Sequence, residues 1–252
     1  VSALDQHAGA FAPGFVHYEE NRLVHAAYGQ RLRAMLAPGQ AVLSLGVGHQ
    51  EVGQALLGAL RQGQLGRYVL IDAAPSLLQA FAVAQAPLPL GLSLVEAWFE
   101  SYEDAQGFDL IEAGFVLEHV DDPARLLCHL HGLLKPGGRL CVAVPNALSL
   151  HRRLGHAAGL LADCHQLSPA DHALGHRRYF DVAGLTELVR SCGWQVECCE
   201  GLLLKPFTTA QLDQLTLSPA VWSALQQVAA PYPELSNAFC MELRAAPAGH
   251  SV

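Results

Sequence analysis

The chain of 252 residues carries 15 Lys+Arg against 23 Asp+Glu, a formal net charge of -8, and 51% of it is hydrophobic. That is enough apolar material for one large α/β domain, and the charge argues against a surface built to neutralise a nucleic-acid backbone. No apolar run reaches the roughly 18 residues of a membrane span, the amino terminus shows no basic segment before an apolar signal core, and the seven cysteines include no CxxC pair, so reduced thiols and a cytoplasmic location are expected.

Residues 1–37 mix aromatic and polar side chains with apolar ones, and 21–36 reads as a helix stopped by Pro38 and Gly39. Phe15, Tyr18 and Tyr28 fall here, suited either to packing against a sheet or to a helical lid (1–38) over a ligand. A short buried strand over 41–45 leads through Gly46-Val47-Gly48 into a helix over 50–61, with apolar positions at Val52, Ala55, Leu56, Ala59 and Leu60. Strands follow over 68–71, 93–97, 108–113 and 139–144, with helices over 76–84 and 123–134.

This alternation predicts a parallel sheet covered on both faces, joined by right-handed crossovers, with its ligand crevice at the carboxyl ends of the strands. After Pro145 the pattern changes. Residues 146–177 hold His, Arg, Asp and Gly without a strand, which predicts a helical insertion extending to about 180 beside the crevice, where substrate recognition is expected. The alternation resumes with a helix over 182–192, a strand over 195–200, a helical stretch over 207–230 that includes a start at Pro219, and a last strand over 238–245.

The glycine turn is an incomplete dinucleotide fingerprint, because Glu51 stands where GxGxxG needs its third glycine. Asp72 directly follows the apolar run YVLI, which puts a carboxylate at a strand's carboxyl end. Such a group can accept from a ribose diol or cap the helix that starts near Pro75.

Further along, FDLIEAGFVLEHVDDPARLLCHLHGLLKPGGRLCVAVPN resembles the central signature of class I S-adenosylmethionine-dependent methyltransferases, and the likeness extends over residues 39–200. It implies a Rossmann-like, doubly wound, mostly parallel seven-stranded α/β sheet and S-adenosylmethionine as cofactor, with S-adenosylhomocysteine as product. Gly46, Val47 and Gly48 would then pass beneath the methionine portion. Asp72, with Ala73, would hold the ribose, and Ala97, Trp98 and Phe99 would line the adenine, the last three being equally open to ordinary packing.

Two positions depart from the family pattern: Ser44 stands where an acidic residue is usual, and His49 replaces a glycine. Glu112 or Glu118 could supply the missing carboxylate, and Glu118 is assigned to the cofactor site. His119, in VLEHV, is a candidate base, since imidazole titrates near neutrality, with a cofactor-site or packing role as the alternatives.

VPNALSLHRRLG, LSPADHALGHRRYFD and EGLLLKP resemble a bacterial subgroup of small-molecule methyltransferases. They place His151 and His176 as catalytic candidates, and Arg152, Asp171, Arg177, Tyr179 and Lys205, with Tyr18 and Tyr28, as acceptor-binding candidates. Such polar density suits an acceptor bearing carboxylate, phosphate or ring heteroatoms. No metal is expected, because His129 and His131, the tightest histidine pair, are two apart on a helix and do not share a face.

The expected activity is methyl transfer to an oxygen or nitrogen of a small polar metabolite in bacterial biosynthesis. The expected partner is that small molecule, with no nucleic acid and no membrane; the oligomeric state is left open. A non-catalytic S-adenosylmethionine-binding protein and a nicotinamide-dependent oxidoreductase are the alternatives.

Overall fold

The computed structural model describes residues 18–246; Phe15 and the part of the expected lid before Tyr18 lie outside the described residues. Seven strands form one sheet in the order β3-β2-β1-β4-β5-β7-β6. They are β1 (Gln40–Leu45), β2 (Leu65–Asp72), β3 (Leu92–Glu96), β4 (Phe108–Gly114), β5 (Leu134–Pro145), β6 (Trp194–Gly201) and β7 (Ala238–Ala245). The first five run parallel, and β7 lies antiparallel between β5 and β6.

The central strands are apolar on both faces because helices cover both. Leu43, Leu45, Ile71, Ile111 and Val142 point to one side, against α4 (Pro123–His131) and α7 (Val182–Ser191). Their neighbours Val42, Leu70, Leu110 and Cys141 point to the other, against α1 (Tyr18–Ala34), α2 (Glu51–Arg61) and α3 (Pro75–Ala84). The period-two alternation of a strand thus splits the core into two clusters.

Between β5 and α7 the chain forms α5 (Leu150–Ala157) and α6 (Pro169–Leu174), and after β6 come α8 (Thr209–Asp213) and α9 (Pro219–Ala229). The helical stretch expected over 207–230 is therefore divided, with Thr216 at φ 45° inside the break. The helix expected to reach residue 134 stops at His131, where the amide of Gly132 caps the carbonyls of His129 and Leu130. Leu134 already pairs with Phe108, and the register shifts before Leu110 meets Arg139. The KPGG segment, which falls between the helix and the strand expected here, is thus an irregular strand entrance.

Tyr28 lies fully inside the core, so its expected place at the acceptor is corrected. Its hydroxyl donates to the Cys141 carbonyl (3.0 Å), and its ring covers Gly114 so closely that a Cβ there would sit 2.2 Å away. It ties α1 to the sheet. His129 and His131 do diverge: one bonds the Tyr102 carbonyl, while the other bonds the Cys192 carbonyl and stacks on Trp194. The seven cysteines are free thiols, and no helix among the described residues is long and apolar enough to cross a membrane.

Candidate active site

A cavity of about 600 Å³ opens at the carboxyl ends of β2, β1, β4 and β5. Its floor begins at the glycine turn, where Gly46 and Gly48 take φ +87° and +49° and Gly46 donates to the Ile71 carbonyl (2.8 Å). Only glycine adopts such a backbone without strain. Asp72 holds the turn in place, its Oδ2 accepting from the Val47 amide (2.9 Å) and its Oδ1 from the Ala74 amide (2.8 Å). Ala74 is the N-cap residue of α3 and its own side chain makes no cap bond, so the Asp72 carboxylate on its amide braces the entry to that helix. Asp72 also lines the cavity beside this turn.

Beyond β3 the chain enters a short 3-10 turn over Phe99–Ser101. Phe99 forms part of the wall and lies 3.7 Å from where a Gly46 Cβ would be. Trp98 is extended just before that turn and stands 58% exposed. Of the expected Trp-Phe wall only Phe99 lines the cavity, with Ala97 and Trp98 outside it. Ala73 likewise gives way to Ala74. Tyr18 is not in the wall either; it packs on the His49 ring (5.8 Å) beneath the Arg22 guanidinium.

Ser44 pairs in register with Glu112 on β4 and accepts from the Tyr68 hydroxyl (3.1 Å). Glu112 is the carboxyl that reaches the cavity here, accepting from the Gly114 amide (2.7 Å). Burial pushes it up from 4.5 to about 8, against opposing hydrogen bonds from Gly114, Ser44 and Tyr28. The unfolded chain ionises this group at the lower value, so stability is fully present below about 4.5 and falls as pH rises through 8. We expect Glu112→Gln, which keeps the accepting oxygen, to melt several degrees above wild type near pH 8, with the gap closing near pH 5. Parallel melting curves at all pH values would exclude the buried neutral carboxyl.

On the α1 side, Lys205 donates to both oxygens of Glu20 (2.7 and 2.9 Å) and to Thr209 (3.2 Å). All three ammonium donors are committed, so Lys205 lines the cavity but has none left for an acceptor, correcting its expected role. Asn237 also donates to Glu20 (2.8 Å), while its Oδ1 is buried without a hydrogen-bond partner. Lys205→Met should cost about 3–5 kcal/mol, because Glu20 would remain buried and charged. Adding Glu20→Gln should recover most of that in thermal melts; a single variant as stable as wild type would mean that the pair contributes nothing.

Asp171 is the third residue of α6 and closes a capping box with Ser168, its Oδ2 accepting from the Ser168 amide (2.7 Å) and hydroxyl (2.6 Å). Its Oδ1 accepts from the Tyr179 hydroxyl (2.9 Å) and bonds His176 Nδ1 (3.2 Å). Burial would raise this carboxyl, but the bonds from His176, Ser168 and Tyr179 win and hold it well below the usual range. His176 meets His119 edge to face at 4.8 Å.

Beside them Glu118 is fully buried, and neither of its oxygens finds a hydrogen-bond partner. Burial lifts it to about 7, opposed by the charge of His176. The structure therefore groups Glu118 with His119 and His176.

Arg152 commits three of its five N–H donors to the Cys164 and Gln166 carbonyls and the Tyr179 hydroxyl, bracing the α5–α6 segment. Arg177 lies at the cavity's edge in an exposed pair with Asp121, an arrangement that contributes little to stability. The next residue, Arg178, donates to the carbonyls of Leu117, Val120 and Asp121. His151 lines the cavity with Nδ1 near the Ser149 hydroxyl (3.1 Å).

Three wall residues have no sequence signal beyond their helix or strand. His25 stacks on Phe115 at 4.2 Å, Phe115 takes φ +60° at the exit of β4, and Asn237 precedes β7. Burial next to His49 holds His25 well below the ordinary imidazole range. A bulky residue at positive φ is strained, and such strain concentrates at functional sites.

A sheet with one antiparallel strand inserted near its edge, and a glycine turn braced by the acid of the next strand, define a Rossmann-like enzyme fold of the methyltransferase type. A family model described as a methyltransferase domain matches residues 15–198. The chain belongs to the class I S-adenosylmethionine-dependent methyltransferase family.

The ubiquinone biosynthesis O-methyltransferase of Xanthomonas axonopodis pv. citri (strain 306) is 29% identical over 181 residues, 69% of this chain and 71% of that protein. An S-adenosylmethionine-dependent methyltransferase from Mesorhizobium loti aligns at TM-score 0.57 and 17% identity, over 92% of this chain and 98% of that one. Magnesium protoporphyrin IX methyltransferase from Synechocystis PCC 6803, solved with bound SAH, aligns at TM-score 0.59 and 16% identity, over 95% and 92%.

Proposed function

We propose that this protein transfers the methyl group of S-adenosylmethionine to an oxygen or nitrogen of a small polar metabolite held between α1 and the α5–α6 cap. One observation carries the reading: a single cavity runs from the Gly46–Asp72 turn to the Asp171–His176 pair. The residues at the turn suit the cofactor, since a glycine backbone at positive φ, a buried carboxylate and the flat ring of Phe99 surround it. The relative from Xanthomonas is an O-methyltransferase, which favours oxygen as the acceptor atom.

Bound S-adenosylmethionine supplies the methyl already activated on a sulfonium, so the protein has to place the acceptor, exclude water and take up one proton. Asp171 fixes the tautomer of His176 by accepting at Nδ1, which leaves Nε2 with its lone pair. His119, His151 and His176 are the imidazoles at the acceptor's disposal.

Incubation with methyl-labelled cofactor and a panel of hydroxylated and aminated metabolites tests the reading. Label should pass to at least one acceptor. Cofactor binding without transfer to any would favour the non-catalytic alternative, and a fluorescence titration that detects reduced nicotinamide binding would favour the oxidoreductase.

A further inference from the structure

The strongest unexplained feature of the cavity is Glu118: its side chain is fully buried, it lines the cavity, and both oxygens lack a hydrogen-bond partner. A buried carboxyl without donors costs free energy unless something absent from the polypeptide satisfies it. Next to it stand two imidazoles, and one ligand atom each from Glu118, His119 and His176 lie within 4.8 Å of one another.

The layer behind these groups is built. His176 Nδ1 is held by Asp171 Oδ1, so Nε2 is the nitrogen available to a ligand. Asp171 is itself fixed by Ser168 and by Tyr179, on whose ring the Arg152 guanidinium lies at 4.3 Å. A carboxylate behind a histidine, fixing its tautomer and ring orientation, is the arrangement that supports metal-ligating imidazoles.

We propose that Glu118, His119 and His176 bind a divalent transition-metal ion of the zinc class, with Asp171 as the supporting carboxylate, and that the ion's open positions receive an oxygen of the methyl acceptor. Two imidazole nitrogens and one carboxylate oxygen are a borderline-soft donor set that suits zinc, whereas magnesium and calcium take oxygen ligands throughout. Three protein ligands leave room for a small molecule, as catalytic zinc sites require. An ion there would make the acceptor's hydroxyl more acidic and orient it, and His151, which is not a ligand, remains to take the proton. The acceptor half of this proposal rests on the methyl-transfer reading; the metal half does not.

The experiment uses tag-free full-length protein, stripped with a chelator and titrated with Zn²⁺ by calorimetry, with visible absorption of the Co²⁺-loaded protein as a second readout. We expect one ion per chain. Glu118→Gln and His176→Ala should each weaken Zn²⁺ at least tenfold, and Asp171→Asn by about 10–100-fold. His151→Ala should bind as wild type does. Melting curves identify any variant that fails to fold, in which case His119→Ala replaces it.

Absence of Zn²⁺ binding to wild type, or wild-type affinity in all the ligand variants, overturns the site. An acceptor amine pairing with Glu118 would show as metal-independent binding and would also overturn it. Calorimetry with S-adenosylmethionine on the metal-free protein separates the two readings. Cofactor binding without Zn²⁺ binding defeats only the metal site, and Zn²⁺ binding without cofactor binding defeats only the methyl-transfer reading.

Discussion

Asp72→Ala should weaken S-adenosylmethionine binding at least tenfold and lower the melting temperature of the cofactor-free protein as well. The two effects have different origins. The buried carboxylate accepts from the Val47 and Ala74 amides and so shapes the Gly46–Gly48 turn before any ligand arrives. Hydrogen bonds to a charged group contribute about 1.5–3 kcal/mol each, and tenfold in affinity corresponds to about 1.4 kcal/mol.

Loss of the turn's shape and loss of the proposed ribose acceptor should therefore add. Asp72→Asn keeps one accepting oxygen and should fall between wild type and alanine in both measurements. Calorimetry reads the affinity, and undiminished binding in the alanine variant would remove the ribose role. An unchanged melting curve would remove the bracing role independently.

His176→Ala should lower turnover by two to four orders of magnitude while leaving cofactor affinity at the wild-type value. Positioned acid–base groups contribute about 10²–10⁴-fold, and a metal-ligating imidazole would be missed at least as much. The effect is expected in kcat, because His176 lines the acceptor side of the cavity in the proposed function and is held there by Asp171. Asp171→Asn should lose less, since the imidazole remains but its tautomer is no longer imposed. Wild-type turnover in His176→Ala would exclude that residue from the chemistry.

Much of the sheet was legible because strand and helix periods are local. Ala238–Ala245 has the expected bounds, and β1 and α2 differ by a residue at their starts. The departures lie where tertiary pairing overrides local composition: the KPGG entrance of β5 is held in the sheet by Phe108, and the stretch over 207–230 is divided at Thr216. The glycine turn and Asp72 were also legible, since both belong to one strand-turn-helix unit.

The far side of the cavity was harder. Lys205 reads as a free cation until Glu20, from α1, is found on it. Tyr28 and Trp98 look alike as aromatic candidates, yet one is core and the other exposed.

By itself the sequence determined the order of strands and helices, the glycine turn with its acid, and the motifs that mark the methyltransferase family. These depend on hydrophobic period and on residues close along the chain. Only the tertiary structure decided which side chains share the cavity. Glu118 and His119 leave β4, whereas His176 follows α6, and crossover geometry and packing angle alone bring them together.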